Sequence, residues 1–251
     1  MKREELANYL GEFLNTAKYN DYAPNGIQVE GKDQIKRICT AVTASEDVIT
    51  QAADWQADAL LVHHGYFWRG EAPVITGIKK QRINHLLLNN MNLMAYHLPL
   101  DCHLELGNNA CLGKLFPLQS IKTHKVGNVD NLLWSGSFAK PIEADALTDL
   151  IASKLNRIPL HIAANKQAIR SIAWCSGGAQ DYIDEAYKLG VDAYLSGEVS
   201  ERTYYQAKEL GIHYYACGHH ATERYGIQAL GQHLATTFQL DHLFIDSDNP
   251  V

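Results

Sequence analysis

The feature that most constrains this chain is a pattern used twice. Moved by 134 positions, residues 38–64 fall on 172–198 without a gap. Ile38 meets Ile172, Asp47 meets Asp181, Ile49 meets Ile183, Ala52 meets Ala186, and Asp58-Ala59 meets Asp192-Ala193. In this register His64 falls on Glu198. Further on, a shift of 122 positions places His97 on His219 and Asp101 on Glu223, with CLG at 111–113 and ALG at 229–231 following in turn. Two stretches in the same order, both ending on metal-ligand residue types, point to an internal duplication.

Within each copy, short β-rich runs alternate with amphipathic helices. Leu6, Leu10, Phe13 and Leu14 have helical spacing over 3–14. The segment 21–31, DYAPNGIQVEG, reads as a loop around the turn signal Pro24-Asn25-Gly26. RICTAV at 37–42 reads as a strand, and Ser45 caps a helix running to about Ala57, with Glu46 and Asp47 in its first turn. ALLVH at 59–63 is a strand, 80–90 a helix, LMAYH at 93–97 a strand, and another helix follows Asn108. The alternation predicts an α/β fold with mainly parallel sheets, in two similar α/β domains. In the non-repeating segment 119–169, LLWSGSF and IPLHIAA read as strands, and Pro141 suits the first turn of a helix carrying Leu147, Leu150 and Ile151. The expected division is an N-terminal domain over 1–118 and a C-terminal domain over 119–251, with the boundary near Pro117.

Ligands of open parallel sheets gather beyond the carboxyl ends of strands, and His63, His64 and His97 all lie at such ends. Consecutive histidines in a regular strand face opposite ways. At a strand end before Gly65 both can turn to one cleft, which suits two neighbouring ions. His97 with Asp101, and His219 with Glu223, each set a carboxylate four residues after an imidazole. Imidazole with carboxylate suits Zn, Mn, Fe, Co or Ni, and a carboxylate can bridge two such ions. The candidate ligands of two divalent metal ions are therefore His63, His64, Asp101, His219 and Glu223. His97 is a ligand, a group that orients one, or a proton-transfer group. Glu198, in LSGE at a strand end, is an acid/base candidate alongside His97. His103 and Asn108, close behind Asp101, are candidates for the substrate side or for helix capping. SGG at 176–178 is a tight turn or an anion cradle, and Tyr66, Phe67 and Trp68 pack or line a wall for a planar ligand.

Composition excludes several alternatives. The five cysteines are scattered and never form CxxC, so they read as buried thiols rather than as disulfides or a zinc knuckle. No secretory signal or membrane-spanning run is visible, which makes the cytoplasm the default location. A net charge of −6 does not support nucleic-acid binding. Neither a Ser nucleophile elbow, a kinase motif nor HExxH is present.

DYAPNGIQVEG, VTAS, ADALLVHHGYFWRGE, HLPLDCHLELGNN, the SGE after VDAYL, and GHHATERYGIQAL together resemble the YbgI-type dinuclear-metal-centre proteins, homologues of GTP cyclohydrolase I type two with NIF-three-like eukaryotic relatives. The resemblance implies two α/β domains of similar topology with a metal pair in the inter-domain cleft. It also implies a toroidal homohexamer built from trimers, and ligands at His63, His64, Asp101, His219 and Glu223 with His97 close by. Three functions compete: a metal-dependent hydrolase of a nucleotide-like or other small substrate, a ring-shaped scaffold binding nucleic acid or protein with structural metals, and a metal store or regulator.

Overall fold

The computed structural model describes residues 1–165 and 168–251, so two residues of the segment 119–169 lie outside the described residues. The fold is mixed α/β with two sheets. The chain forms two compact units, Met1–Leu100 with Gly226–Asp248 and Asp101–Tyr225 with Asn249–Val251.

In the first unit, β1 (Gly26–Val29), β2 (Arg37–Thr43), β3 (Ala59–His64), β4 (Asn92–Ala95) and β11 (Asp241–Phe244) stand in the order β1-β4-β3-β2-β11. The last four are parallel, and β1 alone is antiparallel. Alternate residues of these buried strands feed two cores, as a sheet covered on both faces requires. Cys39, Ala41, Leu60, Val62 and Leu93 pack with residues of α2 (Glu46–Asp54) and α3 (Gly77–Leu88). Ile38, Val42, Ala59, Leu61 and Met94 pack with Leu6 and Leu10 of α1 (Arg3–Phe13) and with Ile227, Leu230 and Leu234. Ser45 caps α2 as its sequence predicts, its side chain accepting from the Val48 amide.

The chain passes between units through α4 (Leu98–Asp101) and α9 (His219–Phe238). The second unit contains α5 (Asn108–Lys114), β5 (Leu118–Val126), β6 (Val129–Glu143), α6 (Ala144–Leu155), β7 (Leu160–Ile162), β8 (Ala168–Cys175), α7 (Ile183–Lys188), β9 (Ala193–Ser196), α8 (Glu201–Leu210) and β10 (His213–Ala216). The sheet order is β5-β6-β8-β9-β10-β7. Only β8, β9 and β10 run parallel; β5, β6 and β7 add antiparallel pairings at both sides.

The parallel trios of the two units share their register. Ile38 pairs with Ala59 and Ala59 with Asn92 in one; Ile172 pairs with Ala193 and Ala193 with His213 in the other. Each trio is pinned at its start by one carboxylate. Asp58 Oδ2 accepts the amides of Lys36 and Arg37 at 2.8 and 3.0 Å. Asp192 Oδ2 accepts those of Arg170 and Ser171 at 2.9 and 3.2 Å.

Three expectations change. The second sheet is mixed, because the non-repeating segment contributes the β5–β6 hairpin and β7. The 21–31 stretch contains β1, whose short run is masked by the turn residues before it. Pro141 lies inside β6, in the register shift between Ser137 and Ile142 where the ladder to β8 is interrupted, so its missing N–H breaks no pairing there; the helix starts at Ala144. The compact units are not continuous along the chain, since residues 226–248 return to pack on the first sheet. Linear order carries no signal of that return.

Burial alone would raise the Asp58 carboxyl, but the Lys32 ammonium at 2.7 Å and the two amides hold it below its ordinary value. A depressed carboxylate contributes stability above the unfolded pKa of about 4, which is lost as pH falls through the lower folded value. Asp58→Ala is therefore expected to cost about 1.5–3 kcal/mol at pH 7 by urea denaturation, with the gap to wild type closing below about pH 4. Equal stability of the two proteins at pH 7 would contradict this role.

Candidate metal centre

In the first unit β3 delivers His63 and His64 at its carboxyl end, and His97 follows β4. Gly65 makes the exit possible: a Cβ there would lie 2.1 Å from Gln28 Oε1 and 2.8 Å from the Ala95 Cβ. Gln28 Oε1 instead accepts the Tyr66 amide at 2.7 Å. The rings of His63 and His64 are 4.5 Å apart, and that of His97 is 5.0 Å from His63 and 5.9 Å from His64. Each ring can offer one nitrogen such that the three lie within 4.8 Å of one another.

The tautomers follow from what the other ring nitrogens touch. His63 Nδ1 faces the Tyr96 carbonyl at 3.0 Å, and a carbonyl only accepts. Nδ1 therefore carries the proton and the lone pair sits on Nε2. His97 Nδ1 donates to Asp21 Oδ1 at 2.7 Å in the same way, and His64 Nδ1 pairs with Thr43 Oγ1 at 3.1 Å. A carbonyl or carboxylate on the second nitrogen is the usual support of a metal-ligating imidazole. Asp21 is itself held by the amides of Tyr22 and Leu98 and by Asn25 Nδ2. Asn25 Oδ1 accepts the His97 amide at 2.8 Å. Burial would raise the Asp21 carboxyl, but the His97 hydrogen bond and charge outweigh it and hold it low.

In the second unit Asp101 is buried, and its Oδ1 accepts from Asn108 Nδ2 at 2.9 Å and Ser176 Oγ at 3.3 Å. Asn109 donates to the Asp101 carbonyl and accepts the Ser176 amide. His219 and Glu223 share a face of the first turns of α9, with Nε2 3.1 Å from Oε2. His219 Nδ1 pairs with Glu198 Oε1 at 2.7 Å. Gly177, at φ +67°, lies against this pair: a Cβ there would stand 2.0 Å from Glu223 Oε1 and 3.1 Å from His219 Nε2. The SGG turn is thus the floor under His219 and Glu223.

His63, His64 and His97 come together, and His219 lies with Glu223 and Glu198. Asn108 orients Asp101. His103 Nδ1 accepts the amides of Glu105 and Leu106 at 3.3 and 3.1 Å, so it caps a turn. Asp21, Asn25 and the Tyr96 carbonyl escape a reading by residue type, whereas Asn109 and Ser176 stand in turns the sequence singles out, with their pairing to Asp101 not foreseen. Asp21 and Asn25 were hidden in a segment whose Pro24 and Gly26 announce a turn, and a backbone carbonyl has no sequence signature. The donor set, imidazoles with carboxylates and no thiolate, fits borderline divalent ions. The five cysteines are free.

A sequence model of Duf34/NIF3 (NGG1p interacting factor 3) matches residues 1–250. "GTP cyclohydrolase 1 type 2 homolog" proteins of Yersinia pestis and Escherichia coli K12 are 49% and 47% identical to this chain, each over 251 residues and the full length of both partners. The solved structure of protein ybgI, described as of unknown function, matches with a TM-score of 0.95 and 46% identity, covering 100% of each chain. That of TTHA1606 from Thermus thermophilus matches at 0.90 and 30%, also over 100% of each chain.

Burial would lower the His219 pKa, but hydrogen bonds and charge from Glu223 and then Glu198 override it and raise it to about 9. In metal-stripped protein His219 is expected to be protonated at pH 7. Its contribution to stability is full below about pH 6.5 and is lost as pH rises through about 9. Imidazole NMR titration checks this, and Glu198→Gln should lower the value. A His219 that titrates near 6.5 in the stripped wild type would refute it.

Proposed function

This chain belongs to the Duf34/NIF3 family, and from that premise and the donor chemistry above we propose that it is a dinuclear metal protein acting as a metal-dependent hydrolase on a nucleotide-like or other small substrate. His63, His64, Asp101, His219 and Glu223 are the ligands in this reading, with His97 beside them. The carrying observation is that the ligands His63 and His219 each give Nδ1 to a carbonyl or carboxylate, at 3.0 and 2.7 Å, which leaves Nε2 as the coordinating atom, and His97 beside them gives its Nδ1 to Asp21 at 2.7 Å in the same way. Asn108 and Ser176 do the same service for Asp101 by engaging Oδ1.

Bound divalent ions of this type supply Lewis acidity and an activated water nucleophile. The chain's own residues bind and orient. Glu198 holds a proton at His219 Nδ1, and Asp21 holds one at His97 Nδ1. Gly177 keeps space beside Glu223 that any side chain would fill. The shared register of the parallel trios and their matched Asp58 and Asp192 pins support an origin by duplication, in which the first copy supplies the imidazole-rich set and the second the carboxylate-rich set. A homohexamer and a cytoplasmic location belong to the same proposal.

Metal analysis of purified protein should find about two divalent ions per chain, with clear losses in His64→Ala and Glu223→Ala while both stripped variants remain folded by circular dichroism, Glu223→Ala at a lower unfolding temperature because it loses its pairing with His219. Gly177→Ala should weaken metal binding comparably through the clash with Glu223. Metal-loaded wild type should turn over a member of a nucleotide and heterocycle panel, and the two ligand variants should not. Retention of both ions by the variants would overturn the ligand assignment. Tight metal binding with no turnover across the panel would overturn the hydrolase and favour the scaffold.

A further inference from the structure

Beside the three histidines of the first unit stands a group of side chains that ligand binding does not require. Trp68 places its indole 4.9 Å from the His97 ring at an interplanar angle of 84°, and 5.8 Å from that of His64. Tyr22 also approaches His97, with ring centroids 6.3 Å apart at 69°. The Arg69 guanidinium lies 5.7 Å from the Tyr22 ring centre. It is anchored through Nη2 to Asn20 Oδ1 and the Asp21 carbonyl at 3.0 and 2.8 Å. Tyr22 is 55% exposed, and the His97 it approaches is half-buried.

The backbone is bent to achieve this. Phe67 has φ +64°, a left-handed conformation that a bulky residue rarely adopts. The turn it makes brings Trp68 back, so that Nε1 donates to the Gly65 carbonyl at 3.2 Å and the Trp68 amide meets Glu71 Oε2 at 3.1 Å. Arg69 is tied to the other side as well, its amide donating to the Tyr22 carbonyl at 2.6 Å. The loop before β1 and the turn after β3 are thereby locked together, with two aromatic rings beside His97 and the Arg69 cation over one of them, Tyr22. Aromatic faces accept planar rings by stacking, and a guanidinium accepts phosphate or carboxylate through paired N–H groups.

We propose that Tyr22, Trp68 and Arg69 form a recognition wall for a substrate that joins a planar aromatic ring to an anionic group. The proposal rests on the functional reading above and narrows its substrate class. Tyr22 and Trp68 select the ring, and Arg69 selects the anion.

The test is calorimetric titration of metal-loaded and metal-stripped full-length protein with three probes: guanosine monophosphate, guanosine and ribose 5-phosphate. The monophosphate should bind more tightly than either fragment in both forms. Tyr22→Ala and Trp68→Leu should each weaken it by about 5-fold or more, the lower end of what loss of one stacking contact costs. Arg69→Gln should remove the preference for monophosphate over guanosine. Metal content must remain at the wild-type level in all three. Tyr22→Leu, at an exposed position, keeps the test open if Trp68→Leu fails to fold. Equal binding of the three probes, or wild-type affinity in the variants, overturns the wall. Loss of metal in a variant makes its residue part of the centre and also overturns the assignment. If the wall variants lose the monophosphate while the wild type holds no ion, the metal reading fails and the wall stands.

Discussion

A carboxylate receiving two successive backbone amides, buried at Asp58 and half-buried at Asp192, is the constraint on which each unit depends. Asp58 does this for β2 and β3, and Asp192 for β8 and β9. Parallel strands have no hairpin to set their register, so something else must. A one-residue slip would reverse every side chain, turning the Leu60 and Val62 face of β3 to the other core and carrying His63 with it. By fixing where β3 starts, Asp58 fixes where it ends, at His63 and His64.

At that end, the imidazoles depend on polar groups whose own positions are secured. Asp21 accepts three hydrogen bonds besides that of His97. Asn109 ties the Asp101 carbonyl to the Ser176 amide, while Trp174 donates to the Asn109 carbonyl at 2.9 Å and is itself fully buried. A buried polar network of this kind is costly when partly satisfied and rigid when complete. Rigidity is what a ligand set needs, since coordination tolerates little displacement. The glycines serve the same end. Gly65 and Gly177 lie where any side chain would push against Gln28 or Glu223, so close backbone approach is part of how the donors are placed.

The functional reading follows from this division of labour. The candidate donors are imidazoles and carboxylates, and their orientation comes from the carbonyls, amides and further carboxylates hydrogen-bonded behind them. The Duf34/NIF3 family and its relatives identified as GTP cyclohydrolase 1 type 2 homologs set the class of protein. Tyr22 and Trp68 stand beside His97, with Arg69 over the Tyr22 ring, and belong to the proposed substrate side rather than to the donor set.

Much of this was legible in the amino-acid order alone. The 134-residue shift that aligns Asp58 with Asp192 reappears as a common strand register, because short-range periodicity and strand-start carboxylates are local properties. His63, His64 and the i,i+4 pair His219 and Glu223 announced themselves by residue type and spacing. Other features depend on the chain's return through space. β11 joins β2, residues 226–248 complete the first core, and β5 and β6 turn the second sheet antiparallel at its edge. Asp21 reaches His97 across 76 positions, and the Tyr96 carbonyl meets His63 across 33. Local patterns are written in neighbouring residues and so survive in one dimension. Hydrogen bonds between distant segments are decided by how the sheets close, and only tertiary structure could show that Asp21 is a partner of a histidine rather than a loop acid.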